Sequence, residues 1–415
     1  MKKTLVAAVA VAALASLGLA GCSASGSSGD SNAKATVTYS NFISNGGNEK
    51  NLQAIVAAFE KANPNITVKV TTTDYKDYFT KLQTDIAAGT QSDVFDVDSG
   101  SYANLQSSGS LASLTGIDAS KYRKSLLDTY KTDGKQYGLP TSFSDVVLFY
   151  NKSLFDKAGI GYPTKDWTWA DEKAAAQKLT DKAAGVWGDF QPATYYEYYK
   201  AVQQAGGQFL GKNGKEAAFD SAAGKKAAEW IAGKSGTVMP TEAQGASTAD
   251  FDSGLFKAGK LAMWHSGIWM FSTLGQLPFG WDIAVEPGDT QKAAAAFSNA
   301  VVVSKDAKNK AAAQKWADFL ASSKETVDVR IKAGWELPTV SDESQLKPYL
   351  TAGAPANRQA VFDSLESVAA APQLGTNAQK IQDAVTNTLG EIAAGRQSVD
   401  SAIPALSDQV SGLLK

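Results

Sequence analysis

The chain has 415 residues, 40 Lys and Arg against 42 Asp and Glu, a formal net charge of -2, one cysteine and one histidine. The charges are spread with no dense basic cluster, which argues against a nucleic-acid partner, and one histidine excludes the multi-histidine zinc sets. An apolar fraction of 44% is that of an ordinary soluble protein, and the chain is too long for one core, so two domains are expected.

The beginning reads as targeting sequence. Lys2 and Lys3 precede an apolar, alanine-rich run, Leu5 to Leu19, shorter than the roughly 18 residues of a spanning helix. It ends in Leu19-Ala20-Gly21-Cys22, similar to the bacterial lipobox, in which the cysteine is lipidated and becomes the first residue. Residues 1–21 are therefore expected to be a lipoprotein signal peptide. Residues 22–35, rich in Ser, Gly, Ala, Asp and Asn, are expected to be a flexible tether. With Cys22 lipidated, no disulfide forms.

Val37 to Phe42 predicts a strand. A helix follows on Leu52, Ile55, Val56 and Phe59, stopped by Asn63-Pro64. Ile66, Val68 and Val70 alternate with polar residues as in a half-buried strand. A helix over Tyr75 to Ala88 leads to a strand at Val94 to Val97. Strand and helix in alternation predict a mostly parallel α/β sheet. A second region opens with an apolar strand, Val146 to Tyr150. It continues with helices at Trp169 to Leu179 and Phe219 to Ile231, then strands at Leu261 to Trp264, Trp281 to Val285 and Phe297 to Val303. Ala312, Trp316, Phe319 and Leu320 share one helix face. Two late helices are expected at Val361 to Ala371 and Gln379 to Ala393.

Enzyme motifs are scarce. There is no His-Glu-x-x-His, no Gly-x-Ser-x-Gly and no phosphate-cradling Gly-rich loop. Asp96 and Asp98, two apart at a strand end, would share a face, but a glycosidase needs a pair at defined separation with one raised pKa. The chain is read as a non-enzyme without cofactor or metal.

The stretch Asp133-Gly134-Lys135-Gln136-Tyr137-Gly138-Leu139-Pro140, continuing through Leu148 to Ile160 and Trp167-Thr168-Trp169, resembles the extracellular solute-binding proteins of sugar ABC transporters, the group containing the maltose-binding protein. Ala262-Met263 with Gly267-Ile268-Trp269, Val303-Ser304-Lys305, and Gly334-Trp335-Glu336-Leu337-Pro338-Thr339 extend the resemblance over nearly the whole chain beyond the tether. It implies two α/β lobes around a ligand cleft: 36–141 with 295–337, and 145–292 with 340–415. It also implies a monomer that takes a sugar or oligosaccharide and docks, closed, on a membrane permease, anchored outside the cell through Cys22.

In open α/β sheets ligands sit beyond the carboxyl ends of strands. On that basis Ser44, Asn45, Asp98, Trp264, His265, Trp269, Trp335 and Glu336 are candidate ligand contacts, joined by Asp145 at the expected hinge and by Trp187, Tyr195 and Asn299. Flat aromatics suit the C–H faces of a pyranose, and short polar groups and carboxylates suit its hydroxyls. The alternatives are a polyol, a glycerol phosphate or a peptide as ligand, or a lipid-anchored glycosidase. A phosphate ester would favour an arginine in the cleft, yet the first lobe offers only Arg123 and Arg330, neither in a strand-end loop.

Overall fold

The computed structural model describes residues 34–42, 48–245, 248, 250–369 and 371–414. Its strands are β1 (Ala35–Asn41), β2 (Ile66–Thr72), β3 (Val94–Asp98), a small hairpin of β4 (Lys131–Thr132) and β5 (Lys135–Gln136), β6 (Gly138–Asn151), β7 (Met263–Gly267), β8 (Trp281–Ala284), β9 (Ala294–Val303) and β10 (Val368–Ala369). β2, β1 and β3 run parallel, as the alternating strand–helix pattern predicts; β9 then pairs antiparallel with β3. The 14-residue β6 is buried throughout. Its first part, Gly138 to Asp145, pairs with β9, and its second part, Val146 to Asn151, lies between β7 and β8. One strand thus belongs to both halves of the molecule.

Each half forms around its own apolar layers. In the first, Leu52, Ile55 and Phe59 recur at helical spacing on Glu49–Ala62 and meet Trp316 and Leu320 over one face of β1. Tyr78, Leu82, Tyr102 and Leu105 cover the opposite face. In the second, the helices Tyr195–Gln204, Ala222–Ala232, Ala378–Ala393 and Val399–Leu413 bury one another. Phe149, Phe256, Trp264 and Trp281 fill the space beside β6. The helix Trp169–Leu179 begins where predicted because Thr168 and Asp171 form a reciprocal capping box.

Two expectations are corrected. The helix predicted from Phe219 starts at Ala222: Ser221 caps it, and a Cβ on Gly224 would fall 1.9 Å from the Phe219 carbonyl oxygen. The segment from Val361 is helical only to Ser367, α-helical over Gln359–Ser364 and then one 3-10 turn, because Val368–Ala369 leaves to pair with Ala294–Ala295 as β10. The helices Lys324–Ala333, Tyr195–Gln204 and Val399–Leu413 were not predicted. No helix among the described residues is long and apolar enough to cross a membrane.

Candidate functional site in the cleft

A cavity partly open to solvent lies where β1, β3, β9 and the first half of β6 come together. Its polar wall follows from an irregularity in the β6–β9 ladder. Pro140 pairs with Ala300 and Ser142 with Asn299, leaving Thr141 as an extra residue. This bulge lets two consecutive residues, Thr141 and Ser142, line the same cavity. Ser142 Oγ donates to Glu336 Oε2, and Asn299 Nδ2 donates to the same oxygen at 3.0 Å.

The floor is charged. Tyr39 donates its hydroxyl to Asp96 Oδ1 at 2.7 Å. Burial pushes the Asp96 carboxyl up to about 7; the Tyr39 hydrogen bond and the Arg330 charge oppose this, and Glu336 adds to it. Arg330 also lines the cavity, is 5% exposed, and has no hydrogen-bond partner at Nε or Nη1.

Two tryptophans complete the cavity, and local backbone geometry seats each. Gly334 closes the helix Lys324–Ala333 in the left-handed region, φ 62°. Its N–H bonds Ile331 O, and that of Trp335 bonds Arg330 O, the paired bonds of a Schellman motif. That turn folds Trp335 back over the last helical turn, 4.2 Å from the Arg330 guanidinium carbon. On the other side, a Cβ on Gly267 would fall 1.9 Å from the Trp269 ring, so glycine is what allows this indole to lie against its own backbone. Phe297 extends the aromatic surface, its ring centroid 5.7 Å from Trp269 and 5.2 Å from Tyr196.

Trp269, Asn299, Trp335 and Glu336 are thus brought together. Asp98 stands nearby but not on the cavity. Its Oδ1 caps the helix Ser99–Ser107 by accepting from Ser101 N, and its Oδ2 accepts from the exposed Tyr75 hydroxyl at 2.9 Å. Burial and then the Asp98 charge raise the Tyr196 hydroxyl to about 12. Ser44, Asn45 and Cys22 lie outside the described residues.

Five candidates are corrected to positions in or against the packed cores. Trp187 packs at the edge of the core beside β6, bridged to Leu261. Tyr195 is 3% exposed and packs on Tyr199 and Phe209; its neighbour Tyr196 takes the outward position. Trp264 is 1% exposed and donates to Asp252. Asp145 is fully buried on β6 at the crossing between halves, with neither carboxylate oxygen hydrogen-bonded. Burial, reinforced by Glu286, raises its pKa well above the ordinary carboxylate value.

The unfolded chain therefore releases a proton from Asp145 near pH 4 that the folded chain keeps. Stability is lost as pH rises above that point, and the penalty is absent below it. Asp145→Asn removes it without changing shape. It is expected to stabilise the protein by about 1–3 kcal/mol at pH 7, with the gain vanishing toward pH 4, as read by thermal melts across that range.

His265, the fifth, sits in a buried ion network. Nδ1 is 2.6 Å from Glu286 Oε1 and Nε2 is 3.0 Å from Glu172 Oε1. Lys200 holds Glu197 and Glu286, while Lys234 holds Glu172 and Asp189. Burial disfavours the imidazolium, but Glu172 and Asp189 outweigh it and raise His265 to about 9. Glu172 is held low despite its burial, by Lys234 and His265 together. Asp189 is pushed up because burial and Glu172 outweigh Lys234. Glu172, Asp189 and His265, like Glu197, His265 and Glu286, have donor atoms within 4.8 Å of one another. The two ammonium groups already take the cation's part there.

Sequence reasoning missed Tyr39, Ser142, Arg330 and Tyr196, and weighed Asp96 only as a catalytic acid. Arg330 lies inside a helix, where strand-end reasoning does not look.

The bacterial extracellular solute-binding protein family matches residues 45–327. The fold superposes on an ABC substrate-binding protein of Listeria monocytogenes solved in complex with cycloalternan. That match has a TM-score of 0.86 and 39% identity, and covers 91% of this chain and 98% of that one. It also superposes on a sugar-binding protein of Xanthomonas citri, with a TM-score of 0.75, 25% identity and coverage of 91% and 97%. The maltodextrin-binding protein of Bacillus subtilis is 26% identical over 285 residues, 65% of this chain and 66% of its own length. Members of this family bind solutes and are not catalytic. The chain belongs to the family 1 extracellular solute-binding proteins, with their two-domain α/β fold, and is homologous to the binding proteins of sugar ABC transporters.

Proposed function

We propose that this protein captures an oligosaccharide outside the cell and delivers it to a membrane ABC importer, and that the preferred ligand is cyclic, of the cycloalternan type. The observation that carries this reading is the cavity lined by Trp269, Trp335, Glu336, Asn299 and Ser142. Its indoles offer flat apolar surface to sugar C–H faces, and a carboxylate accepts from hydroxyls through charge-assisted bonds. The cyclic preference is supported by the ligand of the Listeria relative, at 39% identity over nearly the whole chain.

The lobes in this reading are 36–141 with 295–337 and 145–292 with 340–415, hinged where β6 passes from β9 to β7. A ligand that touches both lobes binds the closed form better and raises its population. Cys22 carries the lipid that keeps the protein at the outer face of the membrane, and residues 22–35 give it reach. The lone Arg330 does not make the site suited to a phosphate ester, because Asp96 and Glu336 both act on it.

Calorimetric titration with cycloalternan, maltotetraose, maltose and glycerol 3-phosphate tests this. Binding is expected for the oligosaccharides, tightest for cycloalternan. Binding of glycerol 3-phosphate alone would contradict the reading.

A further inference from the structure

We propose that Arg330 is a specificity-determining residue of this cleft: its guanidinium donates to a hydroxyl oxygen of the bound sugar while Asp96 accepts from the same or the adjoining hydroxyl. The inference rests on the carbohydrate reading above and names the group that selects within it. A guanidinium is a strong, permanently charged donor whose N–H groups are costly to leave unmet in a buried place. Arg330 is 5% exposed, lines the cavity, and has no partner at Nε and Nη1. Among the described residues it forms no ion pair, although Glu336, Tyr39 and Asp96 act on it electrostatically. Trp335 covers one face of the guanidinium at 4.2 Å, and both side chains line the same cavity.

The floor then reads a hydroxyl in both directions. Arg330 supplies the donor, and Asp96, already bonded by Tyr39 through Oδ1, supplies the acceptor. A free hydroxyl satisfies both. A deoxy or O-methylated position leaves at least one unmet, and a phosphate would meet the two carboxylates Asp96 and Glu336. Asp96 is faced by Tyr39 from β1, Tyr78 from the helix Tyr75–Ala88, Tyr130, Arg330 from the helix Lys324–Ala333 and Glu336 from the loop after it. Arg330 is the one cation in that set and opposes the rise that burial imposes on the Asp96 carboxyl.

The test is calorimetric titration of cycloalternan into the wild type, Arg330→Gln and Arg330→Lys between pH 5.5 and 8.5, with a melt of each variant to establish folding. Arg330→Gln is expected to bind at least tenfold more weakly, Arg330→Lys to recover part of the loss, and the midpoint of affinity against pH to move upward in Arg330→Gln as Asp96 loses its cation. Weaker binding with no movement of that midpoint would overturn the assignment. So would Arg330→Gln affinity within twofold of wild type. If the wild type binds no oligosaccharide, the carbohydrate reading falls and this inference falls with it; wild-type binding that is insensitive to Arg330 removes this inference alone.

Discussion

His265→Gln is expected to destabilise the protein by about 3–5 kcal/mol, the cost of breaking a buried charge network by removing one partner. The network sets four carboxylates, Glu172, Asp189, Glu197 and Glu286, against Lys200, Lys234 and a protonated His265. Glutamine keeps a donor but removes the third positive charge, leaving two cations to compensate four buried acids. The pH dependence is specific. His265 has its folded pKa raised to about 9 from an ordinary 6.5, so its contribution is fully present below about pH 6.5 and is lost as pH rises through 9. A shift of that size corresponds to about 3 kcal/mol. Urea denaturation of the wild type should therefore show stability falling between pH 7 and 9.5, and His265→Gln should be weaker at neutral pH with a flatter alkaline limb. Parallel limbs in the two proteins would show that His265 is not protonated in the fold.

The largest effect on binding is expected at Trp335. Trp335→Ala removes the flat surface over Arg330 and exposes the guanidinium, while the helix end that Gly334 closes is retained. Tryptophan anchors cost about 2–4 kcal/mol on truncation, so oligosaccharide affinity should fall on the order of 30- to 1,000-fold. Trp269→Ala should act in the same direction, and Trp264→Ala should instead lower stability, because its ring packs on Phe149 and Phe256 inside the second half. Titration and melts of the three variants separate these outcomes. Equal binding loss from Trp264→Ala and Trp335→Ala, with stability unchanged in both, would contradict the assignment.

The fold was legible where periodicity was strong. Leu52, Ile55 and Phe59 mark one helix face, and Ile66 and Val68 mark one strand face, because burial imposes those spacings. The late helix Val399–Leu413 carries an equally regular stripe, Ala402, Ile403, Leu406 and Val410, but Pro404 lies inside it and reads as a breaker. The site was legible in part. Strand-end reasoning finds Trp269, and the Gly334–Trp335–Glu336 loop marks itself by its glycine.

It fails where phase decides. Tyr195 and Tyr196 are adjacent on a helix, and only packing tells which turns inward. Asp96 and Asp98 share a strand, yet the chain leaves the sheet at Asp98 to cap a helix. His265 could not be placed from sequence because its partners come from positions 172, 189 and 286, which no local pattern connects.

The most direct test is a crystal structure of the protein grown with cycloalternan. The account predicts sugar rings laid against Trp335 and Trp269, with hydroxyls on Glu336 and at the Arg330–Asp96 floor. Ligand density elsewhere on the molecule, with both indoles bare, would contradict it.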